Sequence, residues 1–123
     1  MRQAIANEMK DTGTILKFAF DAPAELIVEE ASERWPCRIK ELSIHGCSLN
    51  ASLTLKIGTP VIIKIFGREE FFEARAVVTS AHRSRGMGLG FRSIKPAFAP
   101  VLQKWLLRAM RNTNPRSKPG GET

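Results

Sequence analysis

A chain of 123 residues with 43% hydrophobic and 25% charged content can bury one core but not two, which excludes a multidomain machine and a disordered polymer alike. No apolar run approaches the roughly 20 residues that span a bilayer, and Cys37 and Cys47 are too few for a disulfide framework, so a single cytoplasmic domain without a membrane span is expected. The net charge of +7 is uneven: residues 1–33 hold three basic and seven acidic groups, residues 34–94 ten and four, residues 95–123 six and one. Such a field favours an anionic partner (nucleic acid, nucleotide or anionic membrane), set against the plainer reading of a surface kept charged for solubility.

Along the chain, residues 1–13 are polar, lack a sustained period and carry no apolar secretory segment; they read as a flexible N-terminal arm. The domain is expected over residues 14–112, and residues 113–123, with "NPRSKPGGET", as a disordered basic tail. "FAFDAPAELIVEE" (18–30) sets Phe18, Phe20, Leu26 and Val28 in alternation around Pro23, which predicts a strand with an edge or a kink at the proline. "WPCRIKEL" (35–42) places Trp35, Cys37 and Ile39 on one face and Arg38 and Lys40 on the other. "CSLNASLTL" (47–55) alternates in the same way through Leu55, and "GTP" (58–60) turns the chain. Three further strands are predicted at "VIIKIF" (61–66), "FFEARAVVTS" (71–80) and "MGLGF" (87–91). Six short strands without intervening helices predict a mainly β fold, an antiparallel barrel or sandwich. From Lys95 the period changes: Phe98, Val101, Leu102, Trp105, Leu106, Ala109 and Met110 mark one face of an amphipathic helix ending near Asn112, with Lys104, Arg108 and Arg111 opposite.

The hairpin turn "ELSIHG" (41–46) carries more polar chemistry than a turn requires, and several functions can be weighed against it. A nucleotide P-loop at "GMGLGF" (86–91) lacks the Gly-Lys-Ser/Thr and the helix that should follow; those glycines are expected to face a crowded side of the strand or to permit curvature. Cys37, His45, Cys47 and His82 have zinc-ligand types without close ligand pairing, so buried structural thiols are expected and no metal. Ser43 and His45 have no acid placed to orient the imidazole, so no catalytic triad and no enzyme is expected. Single-stranded nucleic acid would need exposed aromatics beside the basic groove, and most Phe and Trp residues fall on core faces.

Taken in order, the six strands, the Glu41-x-Ser43-x-x-Gly46 turn, the late strand "GMGLGF", the "LKIGTPVIIKI" (55–65) strand entry and the closing helix "VLQKWLLRAM" (101–110) resemble the PilZ domain family over about residues 18–111. The family turn is Asp/Asn-x-Ser-x-x-Gly, and it is preceded by an Arg-x-x-x-Arg segment ahead of the first strand. Here Glu41 replaces the Asp, and "GTILK" (13–17) puts Gly13 and Lys17 where the arginines belong. A literal Arg-x-x-x-Arg occurs instead as "RWPCR", Arg34 to Arg38, in the second strand. The resemblance implies a six-stranded antiparallel PilZ-like barrel with a C-terminal helix, and cyclic di-GMP as ligand. Arg34 and Arg38, or Lys17, would meet phosphate and guanine, Glu41 and Ser43 the base edge, and Gly46 would allow close approach. Lys17 offers a point charge but not the forked contact of arginine. The implied role is a single-domain adaptor that binds the messenger, orders its N-terminal arm and relays to a protein partner. The alternatives are a domain that has lost the messenger and serves protein–protein interaction, and a basic barrel that binds nucleic acid.

Overall fold

The structure is a computed structural model that describes residues 17–51, 54–82 and 86–113, with side chains described as far as Arg111. The arm assigned to residues 1–13 lies outside the described residues, as does the tail apart from Thr113, which ends the helix.

Six strands form: β1 (Phe18–Val28), β2 (Glu33–Leu42), β3 (Gly46–Ala51), β4 (Pro60–Phe66), β5 (Phe71–His82) and β6 (Gly86–Ser93). All pairings are antiparallel, and the order β1-β2-β3-β6-β5-β4 closes on itself as a barrel. The alternating sequences explain the closure. Leu26, Ile39, Leu49, Val61, Ile63, Ile65, Phe72 and Val78 point inward and are almost wholly buried, while their chain neighbours face out. A closed sheet has no edge along these ladders, so β1 is not the edge strand its proline suggested. Pro23 sits where the β1–β4 ladder, which begins at Ala24, has ended, so β1 there has a neighbour only in β2. The strand expected over 47–55 stops at Ala51; Leu55 lies in the connection, packs against the core and donates its N–H to the Met87 sulfur at 3.4 Å.

One mouth of the barrel gathers the start of β1, the β2–β3 turn, the β4–β5 turn and the end of β6; the other gathers the β1–β2 turn and the β3–β4 connection. Helix α1 (Ala99–Thr113) closes the first. Its first backbone bond runs from the Leu102 N–H to the Phe98 carbonyl at 3.2 Å, so the helix is entered after Phe98 although the period changes at Lys95. Pro100 falls in the first turn, where an N–H has no helical acceptor. Leu102, Trp105 and Leu106 are buried, and Trp105 stacks on Phe20 with ring centroids 5.2 Å apart and meets Phe72 at 6.3 Å. Trp35 is paired with Leu26 near the second mouth and packs against the core, away from the turn.

Candidate ligand cleft at the β2–β3 turn

The turn is built by Ser43. Its N–H donates to the Gly46 carbonyl at 2.9 Å, its hydroxyl donates to the same oxygen at 3.2 Å, and the hydroxyl accepts from the N–H groups of His45 and Gly46, each at 3.1 Å. A serine hydroxyl has one donor and two acceptor positions, so all three are used. The side chain is 3% exposed. Ser43 thus spends its hydroxyl within the turn and holds it in shape. Gly46 is likewise a packing residue first. It pairs with Gly90, and a methyl group at Gly46 would collide with the Leu89 carbonyl of β6, so only glycine lets the two backbones come this close.

Glu41 reaches the outer surface because alternation breaks beside it. In the β2–β3 ladder Ile39 pairs with Leu49 but Glu41 pairs with Ser48, so Lys40 is an extra, bulged residue. Strict alternation from inward-facing Ile39 would have turned Glu41 into the core; the bulge turns it outward and Leu42 inward. The Ser48 hydroxyl then donates to the Glu41 carboxylate at 3.2 Å. A second bulge lies in β5, where Val78 pairs with Leu89 and Ser80 with Gly88, leaving Thr79 over. Both hydroxyls of Thr79 and Ser80 consequently come to one cleft, over a floor of Gly88 and Gly90. A methyl at Gly88 would press on both hydroxyls, which agrees with the expectation of a crowded strand face.

The cleft measures about 280 Å³ and brings together Lys17, Glu41, Ser43, His45, Gly46, Ser48, Thr79 and Ser80. Four of the residues singled out from sequence thus converge: Lys17, Glu41, Ser43 and Gly46. Arg34 and Arg38 do not line it. Arg34 donates to the Glu25 carboxylate at 3.1 Å, and Arg38 donates through Nε to Asp21 at 2.7 Å, both across the β1–β2 ladder. The hydrogen bond from Arg38 holds the Asp21 carboxyl below its ordinary range. Asp21 thus stays ionised at neutral pH, opposite the Arg38 guanidinium. Ser48, Thr79 and Ser80 escaped sequence reasoning, since no periodic signal marks a bulge.

Cys47 lines the cleft but brings no charge to it, and Cys37 lies outside it. Burial pushes the Cys37 thiol up to about 11, with a smaller effect of the nearby Glu25 charge, and raises Cys47 further. Both stay protonated at neutral pH, poor states for metal ligation. Among the described residues no group of three His, Cys, Asp or Glu side chains could hold a metal ion, and no helix is long and apolar enough to cross a membrane.

A small antiparallel barrel with one mouth closed by a C-terminal helix, and a polar cleft beside a Ser-x-x-Gly hairpin turn, defines a class of binding domain. Residues 16–108 match the family model of the PilZ domain, and the chain belongs to that family. It is a family of cyclic di-GMP receptors, whose domains generally bind or adapt rather than catalyse. Among solved structures, the inhibitor of motility MotI/DgrA of Bacillus subtilis is similar with a TM-score of 0.68 at 18% identity, over 89% of this chain and 55% of that one. The chain thus spans little more than half the length of that neighbour. The PilZ domain of CeSA from a cellulose-synthesizing bacterium is similar with a TM-score of 0.60 at 18% identity, over 76% of this chain and 97% of that one. No curated protein matches the chain.

Proposed function

We propose that this chain is a cyclic di-GMP receptor of the adaptor type, with the messenger seated against the Glu41–Gly46 turn. One observation carries the reading: in a chain of a messenger-receptor family, the Lys17 ammonium and the Glu41 carboxylate border one cleft with the turn between them. Lys17 meets a phosphate as a point charge, Glu41 accepts from the guanine N–H edge, and the Ser48 and Thr79 hydroxyls add donors. Ser43 and Gly46 keep the turn in the shape that receives the base. A volume of about 280 Å³ suits one base and its phosphate rather than a whole dinucleotide. The rest of the ligand then extends beyond the cleft and alters the surface offered to a protein partner.

Calorimetric titration with cyclic di-GMP at moderate salt tests this. Saturable binding is expected for the wild type, weakened by about tenfold or more in Lys17→Ala and in Glu41→Gln, since each removes a charge-assisted contact. Arg38→Ala is expected to change affinity by less than about threefold, because Arg38 is engaged by Asp21 outside the cleft. Absence of heat with the wild type overturns the reading. A second reading would then stand, that of a PilZ domain recognising a protein without the messenger. It is favoured by the engagement of Arg34 and Arg38 with Glu25 and Asp21 rather than with the cleft.

A further inference from the structure

We propose that the outer face of α1, together with the β4–β5 turn, is a docking surface for an anionic phospholipid bilayer. The inference is independent of the messenger cleft and rests on a different part of the molecule. Turning the buried stripe of α1 inward leaves Gln103, Lys104, Leu107, Arg108 and Arg111 outside. Leu107 is 54% exposed in the middle of this cationic face, and Met110 is 40% exposed at its border. No Asp or Glu occurs between residues 94 and 113, so the helix contributes no negative charge of its own.

The β4–β5 turn extends the same surface. Lys104 bonds Glu70 at 3.0 Å and ties helix to turn. A cleft of about 680 Å³ follows, bordered by Arg68 from the turn, Arg108 from the helix and Phe66 from the end of β4. Glu70 and Asp21, which also border it, are engaged by Lys104 and Arg38; Glu69 is the remaining carboxylate. Arg68, Arg108 and Arg111 have no carboxylate at ion-pair distance among the described residues, so three guanidiniums are available to outside anions. Phe66 and its cross-strand partner Phe71 are 38% and 40% exposed, with the Lys64 ammonium 5.7 and 4.5 Å from their ring centroids.

Arginines interleaved with a half-exposed leucine and two phenylalanines match the headgroup boundary of a bilayer, where phosphates meet the first acyl methylenes. The Phe66 and Phe71 rings already carry the Lys64 ammonium, Phe71 also meets Phe98, and Leu107 offers nothing to a phosphodiester backbone, so the surface suits nucleic acid less well. In this arrangement Arg108, Arg111 and Arg68 take lipid phosphates, and Leu107 enters the boundary region without spanning it.

Co-sedimentation of the full chain with vesicles of phosphatidylcholine alone, and with about a third phosphatidylglycerol added, tests the proposal. Partition into the anionic vesicles is expected, falling steeply with salt, with little into the neutral ones. Arg108→Glu should lower that partition by about tenfold or more, and Leu107→Gln severalfold at every salt concentration. Lys56→Glu makes the same change in net charge at the other mouth of the barrel and should alter partition by less than about twofold. All three positions are exposed, so circular dichroism should report one fold throughout. The proposal is overturned if anionic vesicles do not bind the wild type, which would leave an acidic protein surface as the occupant of this face. It is equally overturned if Lys56→Glu weakens partition as much as Arg108→Glu does.

Discussion

Ser43 shows how much structure a motif residue can hold through one group. Its hydroxyl satisfies two turn N–H groups and a carbonyl, in a side chain that is nearly sealed from solvent. Ser43→Ala should therefore destabilise the protein by about 1–3 kcal/mol, the range for leaving buried partners unsatisfied. Gly46→Ala should cost at least as much, about 2–3 kcal/mol, because the added methyl meets the Leu89 carbonyl, a backbone atom held in its own ladder. Urea denaturation midpoints of the two variants check both figures; a midpoint unchanged in Ser43→Ala would show that the turn forms without its hydroxyl. At this scale the sequence located the residues but not the bonds they make within the turn. The pattern Ser-x-x-Gly was visible, whereas the direction of a hydroxyl and the approach of β6 depend on a strand more than forty residues further on.

Among elements, regular ones were legible and irregular ones were not. Alternation identified all six strands, and the 3.6-residue period identified α1, because burial of one face writes itself into spacing. A bulge does the opposite: it breaks spacing by one residue, and at Lys40 and Thr79 it builds the two walls of the cleft. Hence Glu41 was found through a resemblance in sequence, and Ser48, Thr79 and Ser80 were not found. The start of α1 was less sharply marked, because the period changes at Lys95 while the helix begins at Ala99. The helix itself depends on one anchor. Trp105, 3% exposed between Phe20, Phe72 and Gly67, closes the first mouth, so Trp105→Ala should cost about 3–5 kcal/mol in equilibrium unfolding. A loss below about 1 kcal/mol would mean that α1 packs without its indole.

For the whole molecule, the sequence announced a barrel or sandwich but not how it closes. Closure rests on β3 with β6 and β1 with β4, pairs separated along the chain and carrying no local signal. A resemblance to a family supplied that topology, which the residues alone left open. Closure also predicts how the interior is reached. Cys47 is buried within the barrel and Cys37 half-buried, both with raised thiol pKa values. With iodoacetamide at pH 8, Cys37 in the native protein should react roughly two orders of magnitude more slowly than a free thiol. Cys47 should react only as fast as the whole barrel opens, so its labelling and global unfolding should show the same urea dependence. Labelling of Cys47 that ignores urea would reveal a local opening at the β2–β3 turn.

The self-contained turn has an evolutionary consequence. A Ser-x-x-Gly that holds its own turn stays under selection whatever becomes of a ligand, whereas an exposed cation such as Lys17 carries no such packing duty. Descendants that abandon a messenger would lose the arm's arginines first and keep the turn intact, so a census of receptors taken from the turn alone would count retired members with active ones.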